Sequence, residues 1–415
     1  MSAGRDALVR WEWREAWTGR SASRGRRLLL TAPACLLALA VWLPWLHLLF
    51  TPRLEDYWML HSLAPKARAL AARQIELWER PALHAHEAHR MRGMNAEWDL
   101  MGRMFLALAL ANMCLREPEQ QGRYLAIIDR IISFTQALER ERGCYVFLID
   151  YAHDGKFAGG QARSLFVDGE LALMLGARRL IRERDEYRAM MAERCAWIEK
   201  ALRRGPVLCA ESYPNECWMF CNTVALAALR IQDLLDGRDH AALIRDWART
   251  AREKLTHPQT GLLVSSFSYD GHPADGPEGS SIWMVSHCLK LVDEELARDQ
   301  YTRARRELAG RFLGFGYARE WPASWRGRQD VDSGPLVPLL EASASSSGLA
   351  LLAACSFGDG EFARELLGSL NFAGLPSESG GQLKFCASNQ VGDAVVLYAL
   401  VQGPLWRLVK ERGRR

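Results

Sequence analysis

The sequence predicts an all-α protein that forms an (α/α)6 barrel, preceded by one N-terminal transmembrane helix. The barrel is predicted by six nearly uncharged helical segments that alternate with six charged, amphipathic ones. A helix that is apolar on all sides must be buried, whereas an amphipathic helix covers it. The membrane helix is predicted by residues 28–50, a run of 23 residues without a full charge.

The predicted membrane helix follows a basic tail, residues 1–27, with seven arginines against three acidic residues. A helix of about 20 apolar residues spans the roughly 30 Å of hydrocarbon in a bilayer. Cations before the span favour a cytoplasmic N-terminus. The apolar run is also longer than in most cleaved signal peptides. We therefore expect a single-pass inner-membrane protein whose main domain, residues 51–415, is periplasmic.

The barrel is predicted from apolar residues that recur at three- and four-residue spacing beyond the anchor. An α-solenoid is the alternative, but the chain shows no fixed repeat period. No strand is predicted, although residues 144–151 and 262–269 fit either hairpin arms or loops. The predicted inner helices are 101–115, 169–181, 221–235, 281–293, 343–355 and 393–402. The predicted outer helices are 62–80, 121–142, 184–204, 239–255, 296–315 and 360–370.

Charge and cysteine content narrow the function classes. The basic tail accounts for the whole net charge of +4, so residues 28–415 are balanced and give no indication of nucleic-acid binding. The ten cysteines are scattered, except for Cys209, Cys217 and Cys221. An oxidising compartment would allow Cys209 to pair with one of the other two. No second Cys/His pair lies nearby, so no metal site is predicted.

Polar residues gather where the predicted inner helices begin. If those helices run parallel, their N-termini meet at one end of the barrel and favour negative charge there. The segment 212–223, SYPNECWMFCNT, is the densest of these starts. A thiol at a helix N-terminus, as at Cys221, has a lowered pKa. The candidate residues are Trp98, Asp99, Asp168, Glu170, Ser212, Tyr213, Asn215, Cys217, Cys221, Asn222, Trp283, His287, Asp332 and Asp393.

Structural roles compete with functional ones for several candidates. Asp168, Asp332 and Asp393 stand where helix N-caps are expected, and a cap needs only one polar side chain. His287 lies on an apolar helix, where a hydrogen-bonded core histidine is common. Trp98 and Trp283 are core residues by default. Asp99 and Glu170 lie within or beside apolar runs, which favours a functional role for them.

The segment SYPNECWMFCNTVALAALRIQDLLDG resembles the cysteine-containing helix of linalool dehydratase/isomerase. The likeness extends over roughly residues 95–405 and includes EWDLM, VDGELALMLG, SSIWMVSHCLKLV, DVDSGP and VGDAVVLYALV, in that order. It implies an (α/α)6 barrel and cofactor-free acid–base removal or relocation of the hydroxyl of a small allylic alcohol. It also suggests a homo-oligomer.

The resemblance transfers only some of the family's active-site residues. Its second active-site cysteine falls on Cys221. The first falls on Ser212, and reaches Cys209 only if three residues are inserted. The family's catalytic histidine falls on Glu170, and its aspartate and tyrosine have no clear counterpart in residues 62–96.

The expected function is acid–base dehydration or isomerisation of a small, hydroxylated, largely apolar compound. Glu170 is the expected general acid. Cys221 would be its partner base, or the thiol that contacts the carbon bearing the hydroxyl. Asn222 and Tyr213 would orient the substrate, and Asp99 and Asp332 would complete the acidic rim. A carbohydrate-active barrel with paired carboxylates is the alternative. A non-catalytic ligand-binding barrel is a third interpretation.

Overall fold

A computed structural model describes residues 24–413, except 161, 328, 330 and 332. Helices dominate the described part of the chain, and each predicted helical segment overlaps one of them. In chain order they are α1 (Arg24–Trp42), α2 (Leu54–Tyr57), α3 (Pro65–Glu79), α4 (Pro81–Met94), α5 (Ala96–Arg116), α6 (Gln121–Arg142), α7 (Leu165–Ile181), α8 (Asp185–Arg204), α9 (Met219–Asp236), α10 (Ala241–Lys254), α11 (Gly279–Val292), α12 (Glu294–Glu307), α13 (Ala344–Phe357), α14 (Gly360–Ala373), α15 (Gln390–Val401) and α16 (Pro404–Arg412).

Six of these helices form a closed inner ring. Helix α5 packs against α7, α7 against α9, α9 against α11, α11 against α13, α13 against α15, and α15 again against α5. This last contact closes the ring and excludes the open solenoid. Helices α3, α6, α8, α12 and α14 pack outside the ring, and α10 buries Leu243 and Trp247 in the same core.

The inner helices run parallel, so their N-termini lie at one end of the barrel, here called the mouth. At this end the Met219 amide donates to the Ser265 carbonyl (2.8 Å), and the Gly279 amide to the Glu320 carbonyl (2.7 Å). At the opposite end, Arg116 at the end of α5 donates to the carbonyl of Gln402, just after α15 (3.1 Å).

Short strands line the connections between helices. One of them lies within 262–269, which fits either a hairpin arm or a loop, and the others were not predicted. The strands are β1 (Cys217–Trp218), β2 (Ser266–Phe267), β3 (Pro273–Asp275), β4 (Ala309–Phe312), β5 (Phe315–Ala318), β6 (Leu336–Val337), β7 (Ala342–Ser343), β8 (Pro376–Ser379) and β9 (Gln382–Phe385). They form one antiparallel sheet, β1-β2-β3, and three hairpins. Residues 144–151 form 3-10 turns instead of strands.

The predicted outer helix 296–315 was too long. Helix α12 ends at Glu307, and β4 and β5 follow as a hairpin in which Phe312 pairs with Phe315. Leu313 and Gly314 form its two-residue turn with φ values of 48° and 85°. A two-residue turn with both φ angles positive matches the twist of paired strands and so joins β4 to β5.

The apolar N-terminal segment is helical only in part. Helix α1 ends at Trp42, and Leu43–Leu49 forms a 3-10 helix that begins next to Pro44. The described stretch Thr31–Leu49 is long and apolar enough to cross a membrane, and none of it is buried in the protein. The length and composition of this stretch fit either a membrane anchor or a signal sequence.

We expect Asn112→Ala to destabilise the barrel. The Asn112 side chain is fully buried; it donates to the Leu108 carbonyl (2.8 Å) and accepts from the Leu405 amide (3.0 Å), so it joins α5 to α16. Loss of this acceptor should lower the free energy of unfolding by about 2 kcal/mol, measured by denaturant titration. The exposed Lys200→Ala on α8 is the control. Equal stabilities for the two variants would contradict the expectation.

Candidate active site

Glu170 is the most unusual polar residue at the mouth. It lies in the second turn of α7 and is only 1% exposed. Neither of its carboxylate oxygens has a hydrogen-bond partner among the described residues. Burial, together with the charge of Glu97, raises the pKa of Glu170 well above its usual value. Burial therefore favours the protonated, uncharged form of this side chain.

Cys221 lies near Glu170, on the neighbouring inner helix α9. The thiol is buried, and burial raises its pKa well above the usual value, with the Glu97 and Glu170 carboxylates adding to the rise. The expected lowering of this pKa by the helix N-terminus is therefore wrong, because desolvation outweighs the helix dipole here. Cys221 is an uncharged thiol.

Ser212 rather than Cys209 lies beside Cys221. The Ser212 hydroxyl is near enough to hold down the pKa of the Cys221 thiol, and it has no other partner among the described residues. Cys209 is fully buried and influences the pKa of Cys217 instead. The described cysteines are all free thiols.

Glu97 also belongs to this site, although it is not among the candidate residues predicted from the sequence. It occupies the first turn of α5, where Asn95 provides the cap by accepting from the Glu97 amide (2.9 Å). The Tyr213 hydroxyl donates to Glu97 Oε1 (2.6 Å) and accepts from the Ile149 amide (3.1 Å). Burial and the Glu97 charge raise the pKa of Tyr213 above its usual value. One feature of the sequence could have indicated Glu97. It is a second carboxylate beside Asp99, at the start of a helix that Asn95 already caps.

Two of the predicted carboxylates lie in buried ion pairs. Asp99 accepts two hydrogen bonds from Arg103 (2.9 Å each) and one from Arg92 (3.1 Å). Asp168 is held in the same way by Arg163 (2.7 and 2.8 Å) and by Arg194 (2.8 Å). Arginines therefore compensate the charge of both carboxylates, whereas Glu170 has no hydrogen-bond partner among the described residues.

Two predicted amides shape the backbone of the segment 212–223. Asn222 donates to the carbonyls of Ala210 (3.2 Å) and Trp218 (2.8 Å), and accepts from the Ala210 amide (3.0 Å). All its strong hydrogen-bonding positions are thus used in fixing the loop before α9. Asn215 sits in a turn with φ of 58°, and its backbone N–H donates to Glu211 Oε1 (2.7 Å). The adjacent Cys217 is fully buried, and burial raises its pKa.

His287 and Trp283 are both buried in the core among the helices. His287 lies 2.8 Å from the Tyr398 hydroxyl and 2.9 Å from that of Ser356, and burial lowers its pKa to about 3. Trp283 is fully buried, with its indole N–H donating to Ser346 (3.1 Å). These contacts are those of a hydrogen-bonded core histidine and a core tryptophan, so both residues have structural roles.

Asp393, Trp98 and Asp332 complete the predicted set. Asp393 is 7% exposed, has one oxygen without a partner among the described residues, and burial raises its pKa to about 7. Its neighbours Ser388 and Phe385 belong to the connection before α15. Trp98 is half-buried beside Glu97. Asp332 lies outside the described residues.

An open cavity of about 470 Å³ adjoins this cluster at the mouth. Tyr151 and Glu216 form part of its wall: the Tyr151 ring stacks on Tyr213 at 4.7 Å, and the Glu216 charge contributes to the raised pKa of Cys221. Among the described residues, no group of three or more His, Cys, Asp or Glu side chains could hold a metal ion. The lining is Tyr151, Pro214, Asn215, Glu216, Trp218, Ser266, Phe267, Ser268, Ala274, Asp275 and Glu278.

A closed helical barrel with a buried carboxylic acid and an uncharged thiol at its mouth defines an α/α-barrel protein with an acid–base cluster. The family model of linalool dehydratase/isomerase matches residues 172–390, slightly more than half of the chain. The chain therefore belongs to the linalool dehydratase/isomerase family. The match includes Ser212 and Cys221 and begins just after Glu170.

Solved structures with a similar arrangement are only distantly related in sequence. A family 105 glycoside hydrolase from C. acetobutylicum is 14% identical, with a TM-score of 0.48, 82% of this chain covered and 99% of that chain. An unsaturated glucuronyl hydrolase from Streptococcus agalactiae is 11% identical, with a TM-score of 0.45, 81% of this chain covered and 94% of that chain. At these values, the likenesses do not bear on the activity of this chain.

The buried acid should make stability depend on pH. Because the pKa of folded Glu170 is raised, the folded state keeps a proton that the unfolded chain has released. The free energy of unfolding should therefore fall as the pH rises above about 4, by at most about 1.4 kcal/mol per pH unit. Glu170→Gln should lessen this fall, measured by denaturant titration from about pH 5 to about pH 8.

The matched variant in this experiment is Asp393→Asn. Asp393 also has a raised pKa in the folded state, so its contribution should end near pH 7, where the folded carboxyl group loses its proton. The same pH slope in the wild type and in Glu170→Gln would contradict the assignment of a buried neutral acid.

Proposed function

We propose that this protein dehydrates or isomerises a small, hydroxylated, largely apolar compound by acid–base chemistry in its barrel. The observation that carries the proposal is Glu170, a buried carboxylic acid with no hydrogen-bond partner among the described residues. An unpaired buried acid costs stability and persists where its proton is used. Membership of the linalool dehydratase/isomerase family supports this reaction class.

In the proposed reaction, Glu170 donates its proton to the substrate hydroxyl oxygen. The C–O bond then breaks, water leaves, and an allylic cation remains. The Glu97 carboxylate, oriented by the Tyr213 hydroxyl, takes a proton from the adjacent carbon and so forms the new double bond. For isomerisation, water instead adds to the other end of the allylic cation and returns a proton to the Glu170 carboxylate, which restores the starting state. After dehydration, a proton passed from Glu97 to Glu170 through water restores it.

Cys221 has a contact role in this scheme. Its raised pKa keeps the thiol uncharged, so the sulfur does not act as a base at neutral pH. The thiol and the Ser212 hydroxyl beside it border the reacting carbons, where polarisable sulfur accommodates positive charge. Asp99 has no part in the proposed chemistry, because Arg103 and Arg92 occupy its carboxylate.

Glycoside cleavage is the second candidate function, and the open cavity at the mouth favours it. That cavity has three carboxylates in its wall, Glu216, Asp275 and Glu278, together with Trp218. Cleavage by paired carboxylates requires a separation of about 5–5.5 Å for retention or 6.5–9.5 Å for inversion. Sugar rings also stack well on exposed aromatic faces. The two functions use different acids, so variants can distinguish them.

We expect Glu170→Gln to lower kcat by a factor of about 10² to 10⁴, the usual contribution of a general acid. The assay supplies small allylic alcohols and detects dienes or rearranged alcohols by gas chromatography, with circular dichroism to verify the fold. The control is Glu117→Gln at the opposite end of the barrel, where Glu117 accepts from Tyr124 (2.6 Å).

Full turnover in Glu170→Gln would rule out the proposed acid. Glycoside cleavage that survives Glu170→Gln but disappears in Glu216→Gln or Glu278→Gln would establish the second candidate. A folded protein that binds alcohols or glycans but converts neither would identify a non-catalytic ligand-binding barrel.

We also propose that residues 28–50 anchor the protein in the inner membrane, with residues 1–27 in the cytoplasm and the barrel in the periplasm. The apolar stretch Thr31–Leu49, unburied in the protein, supports the anchor. Seven arginines before it and charge balance after it support the orientation.

If the anchor is retained, the full-length chain should stay in the membrane pellet after alkaline extraction, because an apolar helix in lipid is not released by breaking ionic contacts. An epitope tag at the N-terminus should remain on the protein and be protected from protease in spheroplasts. Release of a shorter chain, beginning near residue 50, would show instead that the segment is a cleaved signal sequence.

A further inference from the structure

Exposed apolar side chains concentrate at one end of the barrel. Outside the N-terminal segment, nine large hydrophobic residues in the described part of the chain are exposed to solvent. Seven of them lie in connections or helix ends on the mouth side. Scattered single residues of this kind are ordinary, whereas a concentration on one face indicates an interaction surface. The seven, here called the apolar rim, are Met94, Tyr151, Phe312, Val337, Leu339, Phe372 and Leu375.

Three of the rim residues sit in or beside turns between the helices. Leu339 is 100% exposed in the turn between β6 and β7, just before α13. Leu375 is 60% exposed between α14 and β8, ahead of α15. Phe312 is 51% exposed beside the turn of the β4–β5 hairpin. Since the chain is free to place polar residues in such turns, large apolar side chains there point to an apolar contact.

The path of the chain out of the apolar N-terminal segment leads to the same end. The Phe50 ring packs on Phe372 at 5.0 Å, at the mouth end of α14. Further along, Thr51 lies against Gly368, and Leu54 lies against Gly360, at the opposite end of that helix. The chain therefore runs along α14 away from the mouth as it enters the barrel, and the segment before Phe50 lies on the mouth side.

The opposite end of the barrel has a different surface. A cavity of about 500 Å³ there is bordered by Arg230, Lys290, Arg298 and Lys410, with Asp293 and Glu294 among them. Carboxylates also border the cavity at the mouth, so the two ends differ in their exposed apolar side chains and not in the presence of charge. Of the nine exposed apolar residues, only Leu60 lies at this end, where its carbonyl accepts from Arg116, and Phe134 lies on the flank on α6.

We propose that the apolar rim rests on the lipid bilayer that holds the N-terminal helix, so that the barrel mouth faces the membrane. The substrate then reaches the mouth from the lipid phase, in which an apolar alcohol concentrates, and not from water. The orientation rests on the proposed anchor, and the route of the substrate rests on the proposed function. The occupant of the rim is lipid, because the apolar segment enters the barrel beside it.

The test uses the full-length protein in vesicles of phosphatidylethanolamine and phosphatidylglycerol. The photo-crosslinker p-benzoylphenylalanine replaces Leu339, Leu375 or Phe312 in the rim, and Leu60 or Phe134 as matched exposed apolar controls. After illumination, mass spectrometry measures the fraction of protein that carries a covalently attached lipid. We expect several-fold more lipid attachment at the three rim positions than at the two controls.

Equal lipid attachment at all five positions, or more at Leu60, would overturn the orientation. Crosslinks from the rim to a second protein chain would also overturn it, and would assign the rim to an oligomer interface. Lipid attachment does not depend on turnover, so an inactive protein with the expected pattern would contradict the proposed reaction and leave the orientation standing. Release of a shorter chain that lacks the N-terminal segment, on alkaline extraction, would show separately that the proposed anchor is absent.

Discussion

The contact between α15 and α5 is the constraint on which the rest of the structure depends. It closes six parallel helices into a ring, and closure removes the inner faces of all six from water. Parallel helices in a ring bring their N-termini to one end, so residues far apart in sequence, such as Glu97 and Tyr213, become hydrogen-bonded neighbours. The candidate site is a direct consequence of this closure.

The buried acidic residues at the mouth differ in whether they have a cationic partner. Asp99 and Asp168 lie beside arginines and form compensated pairs. Glu170 has no such partner in the described structure, and burial raises its pKa. The same desolvation keeps Cys221 uncharged and overrides the helix dipole. One physical effect thereby produces both the proton donor and the neutral thiol of the proposed mechanism.

Much of the barrel could be predicted because its helices have distinct local patterns. The segments 101–115 and 121–142 fall within α5 and α6, since an apolar run and an amphipathic run differ in periodicity. The β4–β5 hairpin could not be predicted in this way, because its strands are four residues long and continue an amphipathic helix pattern. In the site, Glu170 and Cys221 stood out as polar residues at the starts of apolar helices, whereas Glu97 did not.

By itself, the sequence determined the order and the burial of the helices, the apolar N-terminal segment and the family, because each is encoded in local composition and spacing. Only the tertiary structure decided which polar residues are paired. Asn222 is hydrogen-bonded to the backbone at Ala210, His287 to Tyr398, and Asp99 to Arg103. Glu170 has no hydrogen-bond partner among the described residues. Pairing depends on distances between segments that touch only after the ring closes, and no local pattern records those distances.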